Sequence, residues 1–201
     1  MEAVRPSITH RRVPRGTELS KEGEMSDAVA VIQVGSAFVW NRGVDGKQRP
    51  IGMAGRGAAF GACSHFGEPA HTTVRTSGTA QVCFFPEAAM RRAVLLQASF
   101  QQELMRRGGQ ELRMTAKWSG CMRVPGIVNQ LAYTLLLLSD AQGFGPVELP
   151  THTALAQLLA TSRESVARAL STLRAEGRVN QTGRRKYDIH RRLLLSRIEE
   201  R

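Results

Sequence analysis

The chain of 201 residues is long enough for one large domain or two small ones, and its 42% hydrophobic content suffices for a buried core. Its 28 basic and 17 acidic side chains give a formal net charge of +11, which favours solubility or an acidic partner such as nucleic acid. No apolar run of about 18 residues occurs, so the sequence predicts no membrane span. Residues 1–13 lack the apolar centre of a signal peptide, and we expect a cytoplasmic protein.

The positions of the cysteines and the lack of known catalytic motifs argue against several classes of protein. Cys63, Cys83 and Cys121 are scattered, and an odd number argues against a disulfide framework. The chain has no phosphate-cradling P-loop, no Gly-x-Ser-x-Gly and no His-Glu-x-x-His sequence. We therefore expect a protein that binds rather than an enzyme.

The first part of the chain consists of short β-type runs between glycines. We expect residues 1–10 to form a loosely held arm and strands to begin at Arg11. Asp45-Gly46 between two such runs predicts a hairpin tip over 44–47. Many short strands with glycine turns are typical of an antiparallel sandwich or jelly roll. The predicted β-rich runs are 28–34, 37–40, 51–53, 58–60, 72–76 and 81–85.

Helices are predicted next. Pro86 opens a helical region, since proline suits a first helical position. One short helix is expected over 87–97, and a longer helix follows over 99–122. A helix between two domains lacks a core of its own, so pairing with a second copy as a coiled coil is expected. Gly108-Gly109 in its middle indicates a kink, a close helix crossing, a hinge or a simple break, and these alternatives stay open. Its apolar candidates are Phe100, Leu104, Leu112, Met114, Trp118 and Met122.

Residues 149–179 carry the pattern of a helix-turn-helix. Thr151 can cap a short apolar helix, and Ser162 can cap a second one that Gly177 ends. Helix 127–141 should pack beneath them through Leu131, Leu135 and Leu138, with a loop at 142–146. The second helix would bury Val166, Ala169, Leu170 and Leu173, and would expose Arg163, Glu164, Ala167, Arg168 and Ser171.

The C-terminal segment is also the more basic one. From Pro146 onward there are 11 Lys/Arg and 6 Asp/Glu, a net charge of +5 in 56 residues. Residues 181–189 read as a β-hairpin wing that turns at Gly183 and places Arg184, Arg185 and Lys186 beside a phosphate backbone. Residues 193–201 are expected to form a short helix or a frayed end. A basic helix-turn-helix predicts double-stranded DNA as the partner.

These residues resemble the cyclic-AMP receptor protein/FNR family of bacterial regulators. The resemblance lies in 151–177, and more weakly in Arg12-x-Pro14-x-Gly16, Glu22-Gly23-Glu24, Val34-Gly35 and Phe60-Gly61. Ala160 departs from the family's usual glycine. The resemblance implies an α+β fold: a double-stranded β-roll of the cyclic-nucleotide-binding type (1–97), a dimerisation helix (98–124) and a winged helix-turn-helix (125–201).

The resemblance also implies partners and site residues. It implies a homodimer on a palindromic site, with Arg163, Glu164 and Arg168 reading a TGTGA-like half-site. RNA polymerase would be a further partner if the protein activates transcription. Further DNA contacts are expected at Ser162, Ala167, Ser171, Thr151, Thr153, Arg184, Arg185 and Lys186, and dimer contacts at Phe100, Leu104, Leu112 and Trp118.

The family's cyclic-nucleotide ligand is not expected here. Nucleotide-binding members follow Phe-Gly with glutamate, where this chain has Ala62, and their phosphate-holding arginine has no counterpart near His71-Thr72-Thr73. The family's iron–sulfur branch uses four cysteines, mostly near the N-terminus. Because this chain lacks that set of cysteines, an iron–sulfur cluster is disfavoured.

Three alternatives for control remain open. Cys63-Ser64-His65 lies where the CO-sensing haem regulators carry a Cys-x-His pair of iron ligands, which makes haem one alternative. A thiol switch at Cys63 or Cys83 is another. The third is a regulator with no effector and no cofactor, controlled by its own abundance. The candidate effector pocket comprises Cys63, His65, His71 and Thr72.

Overall fold

The computed structural model describes residues 8–96, 98–143 and 145–199. Most of the predicted arm, together with Gln97, Phe144 and the last two residues, lies outside this range. The strands are β1 (Thr9–Val13), β2 (Glu18–Ser20), β3 (Ala28–Val34), β4 (Ala37–Arg42), β5 (Gln48–Ala54), β6 (Ala59–Phe60), β7 (Thr73–Thr76), β8 (Ala80–Pro86), β9 (Val147–Glu148), β10 (Val179–Gly183) and β11 (Lys186–Ile189). The helices are α1 (Glu87–Leu96), α2 (Ala98–Cys121), α3 (Ile127–Gln142), α4 (His152–Leu158), α5 (Arg163–Ala175) and α6 (Arg191–Glu199), and a 3₁₀ helix covers Ala62–Phe66.

The chain forms two compact units that divide within α2. One contains residues 8–48 and 53–114 of the described chain, and the other contains 49–52 and 115–199. The sequence instead suggested a division at 97 and 124, with the long helix as a segment of its own. That functional division stays a prediction.

The first unit is built on two antiparallel sheets. Their strand orders are β1-β8-β3-β6 and β2-β7-β4-β5. Apolar side chains from strands of both sheets form one buried cluster, to which β3 and β8 each contribute residues two apart, and this confirms the predicted double-stranded β-roll. The core residues are Val13, Leu19, Ala30, Ile32, Ala37, Val74, Ala80 and Val82.

The second unit is a winged helix-turn-helix. Leu131, Leu135 and Leu138 of α3 are fully buried, and α3 packs against α5 and α6. A small sheet of order β10-β11-β9 completes the wing, in which Tyr187 pairs with Val147. The α+β architecture predicted from the sequence is confirmed.

Several local predictions were wrong. Pro86 is not helical but ends β8 opposite Ala28. Helix α1 begins at Glu87, as predicted, and the Glu87 N–H donates to the Asp27 carbonyl at 2.8 Å. A proline at a strand end costs little, because few ladder bonds remain to be made there. Strand β1 begins at Thr9, inside the expected arm. Its first four residues are exposed, so they carry no apolar signal.

Three short elements were not predicted. They are β2, the 3₁₀ helix and β9, which have three, five and two residues. Strands as short as β2 and β9 are defined by pairing with β7 and β11 rather than by a pattern of their own. The proposed break at Gly108-Gly109 is also wrong, because α2 is a continuous helix of 24 residues.

Candidate DNA-binding site

Both helices of the helix-turn-helix begin at the predicted capping side chains. The Thr151 hydroxyl accepts from the Ala154 N–H at 3.2 Å, and the Ser162 hydroxyl accepts from the Ser165 N–H at 3.1 Å. Each bond satisfies one N–H that the first turn of a helix leaves unpaired. The caps therefore fix where α4 and α5 start.

The turn between α4 and α5 contains Ala160 in the left-handed region, with φ of 49°. A residue with a β-carbon is disfavoured in this region by about 1 kcal/mol. The Thr161 N–H donates to the Ala156 carbonyl at 2.9 Å, which closes the turn. Alanine at the family's glycine position thus keeps the turn at a modest energetic cost.

Helix α5 has one buried and one exposed face. Val166 and Leu173 are fully buried, and Ala169 and Leu170 are nearly so. The opposite face is exposed and carries both signs of charge near its N-terminal end. The predicted contact residues exposed on it are Ser162, Arg163, Glu164, Ala167, Arg168 and Ser171. This arrangement is typical of a recognition helix that reads base edges.

The charged groups on this face are held by short-range bonds. A hydrogen bond from the backbone N–H of Glu164, together with one from Ser162, lowers the pKa of its carboxyl, so Glu164 is ionised at neutral pH. Arg168 Nη2 donates to the Ser165 hydroxyl at 3.2 Å, and that hydroxyl also bonds Ser162 at 3.0 Å. The cap thereby orients the Arg168 side chain.

The wing presents three basic residues in different ways. Arg184 and Lys186 are exposed at the hairpin turn. Arg185 has φ of 64° and pairs with Glu148, Nη2 to Oε1, at 3.2 Å. The sequence grouped the three as equivalent phosphate contacts, whereas Arg185 already has a carboxylate partner.

A groove of about 420 Å³ lies between the start of α4 and the wing. Its walls include Arg163 of the recognition helix, Arg185 of the wing and the predicted contact residues Thr151 and Thr153. His152 also lines it, which the sequence reasoning missed; its position directly after the cap residue was the available signal. Of the predicted contact residues, the groove thus brings together Thr151, Thr153, Arg163 and Arg185.

Of the candidate effector residues, Cys63 and His65 lie on the 3₁₀ helix, and His71 and Thr72 lie in the segment that precedes β7. His65 Nδ1 is buried without a hydrogen bond and lies 3.8 Å from the Glu87 carboxylate, and the ring meets Phe66 edge-on. His71 is exposed and Thr72 is half-buried. Among the residues described, no group of three His, Cys, Asp or Glu is arranged to hold a metal ion.

Two described positions bear on the expectation that a cyclic nucleotide is not bound. Ala62 offers no carboxylate for a ribose. Arg75, the basic residue that follows His71-Thr72-Thr73, pairs with Glu18 at 2.7 Å and lies over the Trp40 ring. A buried phosphate needs a charge-assisted donor that is not already committed. The absence of cyclic-nucleotide binding stays a prediction of the sequence.

The cysteines differ in their ionisation. Burial raises the pKa of the Cys83 thiol, which disfavours the reactive thiolate and weakens the proposal of a switch there. Burial also raises the pKa of Cys121, although a hydrogen bond with Thr134 at 3.4 Å opposes this. Cys63 is half-buried.

The candidate dimerisation residues divide into inward and outward groups. Phe100 stacks on Phe85 with ring centroids 5.9 Å apart, and Trp118 is 3% exposed and packs on Gly52. Leu104 is half-buried, whereas Leu112 is 73% exposed. Phe100 and Trp118 therefore pack within their own chain.

The described part of the chain contains no helix long and apolar enough to cross a membrane.

Two family models match the chain. Residues 10–95 match the cyclic nucleotide-binding domain, and residues 129–198 match the Crp-like helix-turn-helix domain. The two matches coincide with the β-roll and with the winged helix-turn-helix.

Relatives match over most of their length. The chain is 30% identical over 193 residues to the cyclic AMP receptor protein of Thermus thermophilus, covering 94% of this chain and 87% of that protein. It is 27% identical over 180 residues to a CRP-like cAMP-activated global transcriptional regulator of Mycobacterium tuberculosis, covering 85% and 80%. The structure of FixK2 from Bradyrhizobium japonicum has the same fold, with a TM-score of 0.76, 21% identity and coverage of 94% and 96%.

The fold and the site define a transcription regulator with a helix-turn-helix DNA-binding domain. The chain belongs to the cyclic-AMP receptor protein/FNR (Crp/Fnr) family, as the sequence resemblance predicted.

Proposed function

We propose that this protein regulates transcription by binding, as a homodimer, to a palindromic DNA site without a cyclic nucleotide. The observation that carries the proposal is the exposed face of α5. Arg163, Glu164 and Arg168 lie together near its capped N-terminal end, above a fully buried apolar stripe. A recognition helix contacts base edges with its N-terminal residues.

The chemistry of this face favours G·C pairs. An arginine guanidinium donates to both guanine acceptors in the major groove, and a carboxylate accepts from the cytosine amino group. Glu164 is ionised at neutral pH and so can act only as an acceptor. This set supports a half-site of the TGTGA type.

A homodimer is supported by apolar residues that α2 leaves exposed. Met105 is 78% exposed and Leu112 is 73% exposed, and they lie seven residues apart on one stripe of the helix. Side chains with this spacing pack against a second helix in a coiled coil. A two-fold dimer would place two half-sites about one helical turn of DNA apart.

One observation favours a second candidate function, in which haem is the effector that the β-roll binds. His65 Nδ1 is buried without a hydrogen bond, two residues from Cys63 on the same 3₁₀ helix. Imidazole and thiolate are both haem ligands. Addition of haem to the purified protein tests this: a shifted and sharpened Soret band that reverts to that of free haem in a His65→Ala variant supports it, and a spectrum unchanged from that of free haem contradicts it.

Selection of duplexes from a random library, with no effector added, tests the main proposal. We expect enrichment of an inverted repeat with half-sites about one helical turn apart. Light scattering on the complex should give two chains per duplex, and cyclic AMP should not change the affinity. Enrichment of no sequence, or only after cyclic AMP is added, would contradict the proposal.

A further inference from the structure

Gln142, the last residue of α3, is bonded to both backbone groups of Glu148. Its Nε2 donates to the Glu148 carbonyl at 2.8 Å, and its Oε1 accepts from the Glu148 N–H at 2.8 Å. An amide side chain satisfies a peptide group in this way only when its plane is fixed. The two bonds therefore attach β9 to the end of α3.

Glu148 and its neighbour Leu149 hold the wing turn through three further contacts. The Glu148 carboxylate accepts from Arg185 Nη2 at 3.2 Å, and the Leu149 N–H donates to the Arg185 carbonyl at 2.7 Å. In addition, Lys186 pairs with Glu148 in the β11–β9 ladder. The contacts connect α3, through one residue of β9, to the turn of the wing.

Arg185 adopts a conformation that an arginine rarely takes. Its φ of 64° lies in the left-handed region, although Gly183 is only two residues away. Such a conformation persists where its surroundings over-determine it. The Arg185–Glu148 ion pair is more than a third exposed on both sides and contributes little to stability by itself. We therefore expect these contacts to fix the conformation of the wing turn rather than to add stability.

We infer that Gln142 is a positioning residue for DNA binding. Through Glu148 it fixes the wing turn, with Arg185 held on the protein side and the exposed Arg184 and Lys186 presented to backbone phosphates. The inference rests on the proposed function, since it names how the same DNA-binding unit is arranged. Gln142 itself needs no contact with DNA.

A Gln142→Met variant tests this, because methionine keeps the side-chain length and removes both hydrogen bonds. The affinity for the selected duplex should fall about tenfold, and the slope of log affinity against log salt should lose about 2, one phosphate contact per protomer. Gln130→Met is the matched control. Gln130 lies in the first turn of α3 and bonds the Met122 carbonyl, so neither quantity should change.

A double-mutant cycle separates positioning from general destabilisation. In a background with Arg184→Gln and Lys186→Gln, Gln142→Met should change the affinity less than twofold, because the contacts it positions are gone. Equal losses in both backgrounds, or wild-type affinity and salt slope for Gln142→Met, would overturn the inference alone. A wild-type protein that binds no duplex would overturn the proposed function as well.

Discussion

The indole ring of Trp118 lies directly against the α-carbon of Gly52. A β-carbon built at Gly52 would approach Trp118 Cδ1 to 2.8 Å and Cγ to 2.9 Å, closer than such atoms come in proteins. Trp118 is 3% exposed as a result. Only glycine on β5 leaves room for a ring of this size near the C-terminal end of α2.

Gly52→Ala should therefore destabilise the protein. We expect a loss of about 1–3 kcal/mol in the free energy of unfolding, because the ring must shift from its packed position. Urea denaturation measures this. Gly120→Ala in the same region of α2 is the control, since its β-carbon meets no atom within 4 Å. Wild-type stability for Gly52→Ala would show that the contact is loose.

Gly108 and Gly109 should accept alanine with a gain in stability. Both lie inside a continuous helix, and a β-carbon at either would meet no atom within 4 Å. Alanine in place of glycine in a helix interior is worth up to about 1 kcal/mol per residue. Thermal unfolding measures the gain. If alanine instead weakens self-association, the glycines serve a close crossing between two copies of the helix.

The Ser162 cap should carry measurable stability. Ser162→Ala removes the acceptor for the Ser165 N–H and should cost about 1 kcal/mol. Ser171→Ala, the same substitution on the exposed face of α5, should cost nothing in stability. Equal melting temperatures for the two variants would contradict a capping role for Ser162.

Cys121 should resist alkylation in the folded protein. Burial raises its pKa, so less thiolate is present at any given pH. Iodoacetamide at pH 8 should label Cys121 only in urea, as followed by mass spectrometry of peptides. Because the unfolded thiol ionises first, this residue should also make stability fall as the pH rises past about 8.5. Rapid native labelling of Cys121 would show that its site opens readily.

The elements predicted correctly are those with local signals. Ser162 combines a capping hydroxyl with a following apolar stripe, and Ala28–Val34 combines β-branched residues with a glycine stop. Features set by distant partners could not be predicted. The apolar pattern of α2 does not show that Trp118 is covered by Gly52, and no spacing rule connects Gln142 or Glu148 with Arg185.

The central claim is that the exposed face of α5 reads sequence, and Arg168→Ala tests it most directly. Affinities for the selected duplex, its single-base variants and a scrambled duplex are compared for this variant and for Arg174→Ala, an equal charge change in the last turn of α5. Arg168→Ala should lose discrimination at one base pair per half-site, worth about 1–3 kcal/mol, whereas Arg174→Ala should keep it. Equal losses for Arg168→Ala on specific and scrambled duplexes would contradict the account.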